Sequence, residues 1–182
     1  MEETRMKNSL WVGYVLLFLF SFALYWGVLL GAGAAALALA YYLRGRARRA
    51  EDVVACAHAQ WQINTVWLNL LLAVLGIAGV VGVAAWMGSD PAIVEKFEAL
   101  SPGSQPPMEM LQQFWAVPGS KALVVFLCAW VFLLLLWPLK RTVQGMLALR
   151  REQEPANSGS ACWLALALGV LLQIGIPMIF LK

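Results

Sequence analysis

Long apolar runs separated by short polar segments dominate the chain. They cover residues 10–43, 61–87, 121–139 and 161–181. Crossing a hydrocarbon core of about 30 Å takes about 20 residues of α-helix, so each run is long enough to span a membrane. The pattern predicts an all-α polytopic membrane protein, a single membrane domain over 1–182 with about four to five transmembrane helices.

The first run is too long for one upright helix. A straight helix over 10–43 would measure about 50 Å at about 1.5 Å per residue. We therefore expect either an N-terminal hairpin of two closely packed helices or one long, tilted or broken helix. The Gly31-Ala32-Gly33 segment is the predicted position of a break, since glycine weakens a helix.

Residues 88–118 have a different character, with many prolines and more acidic than basic residues. We predict an extracytoplasmic loop that carries short amphipathic helices. Ser89-Asp90-Pro91 is a typical helix start, because a capping side chain precedes a proline. Met110, Leu111 and Phe114 indicate a second short helix. Pro138 is expected to mark the cytoplasmic end of the next span, 121–139.

The composition supports the membrane assignment. The chain is 62% hydrophobic and 13% charged, whereas soluble domains have about 45–50% apolar and about 25% charged residues. A soluble fold of this size could not bury that much apolar surface. The excess must face lipid.

The positive charge lies in two clusters beside the apolar runs. Their members are Arg44, Arg46, Arg48 and Arg49 in the first and Lys140, Arg141, Arg150 and Arg151 in the second. The positive-inside rule predicts that both are cytoplasmic loops of a multi-pass protein in a bacterial inner membrane, where they meet lipid headgroups. Neither cluster lies in a recognisable nucleic-acid-binding module, so no nucleic-acid partner is expected.

Small residues are concentrated in the outer half of the second span. Gly76, Gly79 and Gly82 lie among alanines and valines. Such residues let another helix approach closely, which is how helix packing gains energy in lipid. We predict that this helix is central to the bundle.

A polar stripe follows the other half of the same span. His58, Gln62, Thr65 and Asn69 are spaced by 4, 3 and 4 residues and therefore share one helix face. Two interpretations are open: a polar groove for a headgroup, peptide or partner helix, and ordinary interhelical hydrogen bonding. Gln173 in the last run is a further candidate for such a bond.

Candidate chemistry is sparse. Residues 10–43, 63–86, 122–139 and 162–181 contain no Asp, Glu, Lys or Arg, which argues against a proton-coupled or ion-coupled carrier. His58, the only histidine, lacks companions at metal-ligand spacing, and its readings are a structural residue, a hydrogen-bond donor in a binding site, or a catalytic base. Cys56, Cys128 and Cys162 are expected to be buried and unpaired. No metal, other cofactor or catalytic residue is predicted.

Three segments resemble a known family. They are Tyr41-Tyr42-Leu43-Arg44, the stretch His58-Ala59-Gln60-Trp61-Gln62-Ile63-Asn64-Thr65-Val66-Trp67, and Arg141-Thr142-Val143-Gln144-Gly145-Met146. The chain is similar over about 34–154 to small bacterial membrane proteins of unknown function, distantly related to a membrane component of the chloroplast import translocon. The resemblance implies a compact helical membrane fold and supplies no activity. Segment 88–118 and the C-terminal span extend beyond the usual pattern.

These observations leave three hypotheses about function. The first is a non-enzymatic accessory subunit or assembly factor of a larger inner-membrane complex, with lipids and other subunits or a second copy as partners. The alternative is a small channel, translocation or lipid-binding component whose path is lined by the polar stripe. The third, an enzyme such as a membrane-bound transferase, is supported only by His58 and the acidic residues near it.

Overall fold

The computed structural model describes residues 2–23, 27–98 and 107–155. These ranges form helices joined by short turns, with no strand among them. The helices are α1 (Glu2–Phe20), a 3-10 turn (Gly27–Leu29), α2 (Leu30–Arg49), α3 (Val53–Gly88), α4 (Pro91–Glu98), α5 (Pro107–Ala116) and α6 (Ser120–Arg150).

Three segments of the described chain are long and apolar enough to cross a membrane. They are Gly27–Arg49, Val53–Gly88 and Ser120–Arg150. The protein is therefore an all-α, polytopic membrane protein, as the apolar runs predict. The predicted C-terminal span at 161–181, with Cys162 and Gln173, lies outside the described residues.

The first apolar run folds as two helices, α1 and α2, which pack against each other as in the predicted hairpin. The connection lies before Leu30, so the prediction of a break at Gly31-Ala32-Gly33 is wrong. Gly33 lies inside α2 against the ring of Phe20, and a Cβ there would collide with that ring. This glycine serves close contact between two helices, which is its common use in membrane bundles.

A tight turn connects α2 to α3. Glu51 adopts φ 55°, and the amide of Asp52 donates to the carbonyl of Ala47 at 3.0 Å, which closes the end of α2. Asp52 then caps α3, since its Oδ1 accepts from the amide of Ala55 at 2.8 Å. The α3 helix runs for 36 residues, well beyond the predicted 61–87.

The α6 helix continues through Pro138 to Arg150. The helix itself therefore does not end at Pro138, where the third span is predicted to end. A proline removes one backbone donor, and membrane helices tolerate that loss where neighbouring helices support both halves. Pro138 is almost fully buried, and Trp61 of α3 bonds the carbonyl of Arg141 just after it.

The basic residues lie on helices rather than in loops, which corrects the prediction of arginine-rich loops. All the members of the first cluster belong to α2. Lys140, Arg141 and Arg150 belong to α6, and Arg151 is in the turn that follows. The helices extend this far because residues 44–49 and 140–150 contain no proline.

Two compact units divide the chain. In the described residues the first contains everything up to Leu72 and the segment from Phe132, and the second contains Ala73–Val131. The core of the first unit includes Leu10, Leu17 and Leu43.

The second unit contains a small cluster of Met87, Ile93 and Val117. As predicted, α4 starts after Asp90, whose Oδ1 accepts from the amide of Ala92 at 2.9 Å. Because Ile93 is 3% exposed, α4 packs on its own unit through its apolar face.

The glycines of α3 also lie in the second unit. Gly76 lies against the side chain of Trp130, and Gly79 lies against the ring of Phe126, both on α6. No atom of the described residues comes within 4 Å of a Cβ built on Gly82.

Candidate functional site

The polar stripe of α3 is buried inside the first unit. His58, Gln62 and Thr65 are 0% exposed, and Asn69 is 8% exposed. An isolated polar group is costly in such surroundings unless it is hydrogen-bonded. The groups on other segments that bond to the polar stripe therefore define the site.

His58 joins three segments through its two ring nitrogens. Nε2 lies 3.0 Å from the carbonyl oxygen of Gln153, just after α6. Because a carbonyl only accepts, Nε2 carries a proton and donates it. The Tyr14 hydroxyl of α1 lies 2.7 Å from Nδ1, and a neutral His58 accepts there from Tyr14.

Tyr14 is held on its other side by α6. Its ring meets His58 edge-on, with the centroids 5.9 Å apart. Gly145 lies directly against the same ring, and a Cβ at this glycine would collide with it. The close approach of α1 to α6 thus requires a residue without a side chain at position 145.

Gln62 binds the backbone of α1. Its Nε2 donates to the carbonyl oxygen of Leu10 at 3.0 Å. Its amide group also lies so close to Gly13 that a Cβ there would overlap it. The contact therefore depends on a polar side chain of α3 and a bare backbone position of α1.

Thr65 connects α3 to α6 through Arg141. The Arg141 Nε donates to Thr65 Oγ1 at 3.0 Å, and Thr65 in turn donates to the carbonyl of Trp61 at 2.8 Å. The guanidinium also lies over the Trp61 ring, with Cζ 3.7 Å from the centroid. A desolvated contact of this kind contributes about 2 kcal/mol.

Arg141 has a different place from the one its cluster suggests. We expected a headgroup-facing charge, but the side chain is 4% exposed and packed within the unit. A buried charge needs hydrogen bonds and a polarisable surface to offset its lost hydration. Thr65 and Trp61 provide both. The other seven members of the two basic clusters are exposed or partly exposed: Arg44, Arg46, Arg48, Arg49, Lys140, Arg150 and Arg151.

We call the set Tyr14, His58, Gln62, Thr65 and Arg141 the polar junction. It connects α1, α3, α6 and the segment after α6. A salt bridge lies at its edge, between Lys7 of α1 and Glu152, which neighbours the Gln153 carbonyl that holds His58. The hydrogen bond and charge of Lys7 hold the pKa of Glu152 below its usual range.

The titratable groups in and beside the junction have structural partners. Both ring nitrogens of His58 are engaged, and Asp52 caps α3 instead of orienting the imidazole. Among the described residues, no three His, Cys, Asp or Glu side chains come together in a way that could hold a metal ion. Cys56 and Cys128 are free thiols, but Cys56 is only partly buried and Cys128 is exposed, so the prediction that they are buried is wrong.

Sequence reasoning found the stripe but missed most of its partners, namely Tyr14, Trp61, Arg141 and the Gln153 carbonyl. One signal was available. Pro138, Arg141, Thr142, Gly145 and Leu149 recur at helical spacing and are all buried. They form one face only if the helix is allowed to pass Pro138.

Comparison with known proteins adds no relative that could assign this site. No family model, no curated protein and no solved structure matches the chain.

Proposed function

We propose that this protein is a non-enzymatic accessory subunit or assembly factor of a larger bacterial inner-membrane complex. The observation that supports it is the use made of the α3 stripe. His58, Gln62 and Thr65 each take part in bonds to other segments of the same unit. The polar groups of this membrane helix thus hold α1, α6 and the segment after α6 against α3.

The outer surface of α3 supports a packing role. Val74, Ile77 and Val81 are more than half exposed, and a Cβ built on Gly82 would meet no atom of the described residues beyond its chain neighbours and its own helix backbone. In lipid, helices associate through van der Waals packing around small residues. Gly82 lies about a quarter-turn around the helix from Val74, so another membrane helix packed at Gly82 would border this surface.

The alternative, a path lined by the stripe, has less support. Its four side chains are at most 8% exposed, and three of them are engaged in hydrogen bonds. A permeant molecule would have to break these bonds. The enzyme hypothesis has no arrangement of groups in its favour at His58.

The proposal includes an orientation. The arginines at the end of α2 face the cytoplasm if the positive-inside rule holds, and α4 and α5 are then periplasmic. A single cysteine placed at Arg49 in a background without Cys56, Cys128 and Cys162 tests this. Labelling of Arg49→Cys by a membrane-impermeant reagent in intact cells would contradict the orientation.

The main test is a mild-detergent pull-down of the tagged protein from native membranes, with mass spectrometry and sizing. We expect a stoichiometric set of partners. Gly82→Leu should release partners that pack there without lowering the protein's own melting temperature. Gly31→Leu is the matched control, because Gly31 also has no atom of the described residues within 4 Å of its built Cβ. A protein that purifies alone or only with itself would contradict the subunit role.

A further inference from the structure

A cavity of about 530 Å³ opens between the end of α2 and the start of α3. Its charged and polar lining consists of Arg44, Arg48, Glu51, Asp52 and Gln60. We call it the arginine cavity. It lies within the first unit and is separate from the polar junction, with which it shares no residue.

The charges that line this cavity are of both signs and do not neutralise one another by direct contact. Among the described residues, no ion pair joins Arg44 or Arg48 to Glu51 or Asp52. Arg44 and Arg48 both line the cavity. A guanidinium group carries five N–H donors, so these two side chains can donate to an acceptor that enters the cavity.

The balance of charge restricts what such a ligand can be. Arg44 and Arg48 are matched by Glu51 and Asp52, so the four residues have no net charge. A simple anion would leave two carboxylates close to it. A zwitterion satisfies both pairs, with a phosphate on the guanidinium groups and a primary ammonium on the carboxylates.

The surroundings indicate a lipid. Both helices that form the cavity belong to membrane-spanning segments. Further along them, Trp67 Nε1 donates to the Tyr41 hydroxyl at 3.1 Å, and both rings are nearly half exposed. Exposed Trp and Tyr side chains are typical of the membrane interface. A lipid with its headgroup in the cavity would place its acyl chains beside this aromatic pair.

Polar side chains fill the interval between the charged cavity and the aromatic pair. Gln60 Nε2 donates to Asn64 Oδ1 at 2.7 Å, one helical turn further along α3. Amide groups at this level suit the glycerol and ester oxygens of a phospholipid, which accept hydrogen bonds.

We propose that the arginine cavity binds the phosphoethanolamine headgroup of a zwitterionic phospholipid, with the phosphate on Arg44 and Arg48 and the ammonium on Glu51 and Asp52. Lipid binding at this site is a function separate from the proposed assembly role and does not depend on that role.

The test is titration of the full chain in detergent with short-chain phosphatidylethanolamine, phosphatidylcholine and phosphatidylglycerol, followed by native mass spectrometry. We expect phosphatidylethanolamine to bind about tenfold more tightly than the other two, since only it offers both a phosphate and an ammonium that donates hydrogen bonds. Equal or tighter binding of phosphatidylglycerol would overturn the proposal. Free phosphoethanolamine binding as tightly as the lipid would also overturn it, in favour of a water-soluble ligand.

Variants locate the site. Arg44→Gln should lower the affinity for phosphatidylethanolamine about tenfold, whereas Arg49→Gln removes the same charge from the same helix outside the cavity and should leave it unchanged. Glu51→Gln should lower the affinity for phosphatidylethanolamine and not that for phosphatidylglycerol. Equal effects of Arg44→Gln and Arg49→Gln would place binding elsewhere. If Arg44→Gln does not fold, Glu51→Gln decides, because the Glu51 side chain is exposed.

Discussion

Arg141 and Trp61 bind each other twice. The guanidinium of Arg141 lies 3.7 Å from the centroid of the Trp61 ring, and the indole Nε1 of Trp61 donates to the Arg141 carbonyl at 3.0 Å. The contact fixes both the rotation of α6 about its axis and its position along α3. A basic residue near a membrane can either set the topology or pack against another helix, and this contact gives Arg141 the packing role.

We predict that Arg141→Lys destabilises the protein although the charge is kept. A lysine cannot stack a planar group on the indole while it donates to Thr65, so we expect a loss of about 1–2 kcal/mol. Thermal unfolding in detergent measures it. Arg150→Lys, on the same helix but exposed, is the control, and equal melting temperatures of the two variants would refute the role of Arg141.

The contact between Gly13 and Gln62 gives a second prediction. Gly13→Ala places a methyl group against the Gln62 amide and should cost about 1–3 kcal/mol, the range for overpacking. Gly45→Ala is the control, since its built Cβ meets no atom of the described residues beyond its chain neighbours and its own helix backbone. It should be neutral or slightly stabilising, because alanine favours a helix. The idea fails if both variants unfold at the same temperature.

A third prediction concerns the hydroxyl of Tyr14. Tyr14→Phe leaves His58 Nδ1 buried without its donor, and we expect a loss of about 1–3 kcal/mol. The tryptophan fluorescence melting curve detects this. Tyr42→Phe removes the same group from a side chain that is 62% exposed and should have no effect. A Tyr14→Phe protein as stable as the wild type would show that this hydrogen bond contributes nothing.

The two glutamates with positive φ give a fourth prediction. Glu51 and Glu152 adopt φ 55° and 57° at the ends of α2 and α6, a conformation that favours glycine. Glu51→Gly should therefore stabilise the protein by about 1 kcal/mol. Glu152→Gly gains the same backbone freedom but loses the salt bridge to Lys7, so its net effect at neutral pH should be smaller.

The pH dependence of this last pair follows from the pKa of Glu152. Because Lys7 lowers that pKa, the salt bridge contributes above the ordinary pKa of a glutamate and is lost as the pH falls through the lowered value. The stabilities of Glu51→Gly and Glu152→Gly should therefore converge in acid. Melting curves at neutral and acidic pH test this, and a gap that stays constant would refute it.

The sequence predicted the helical class and the start of α4 because these depend on local signals. Apolar runs report membrane spans, and Asp90 followed by Pro91 reports a capped helix. It also placed His58, Gln62 and Thr65 on one face. Their partners were beyond such reasoning, since Tyr14, Leu10 and Gln153 lie 44, 52 and 95 residues away along the chain. Arg141 was misplaced because a cation after an apolar run has the same pattern whether it faces lipid headgroups or another helix.

The bond from Gln62 to the Leu10 carbonyl has a consequence for how this protein can change in evolution. A carbonyl is the same in every residue, so the side chain at position 10 is free to drift among apolar types without disturbing the bond. Positions 13 and 62 lack this freedom. The Gln62 amide fits only if position 13 has no side chain, and a glycine is required at position 13 only while position 62 carries that amide. We expect substitutions at these two positions to arise together, so that lineages in which Gly13 has gained a side chain have also shortened Gln62.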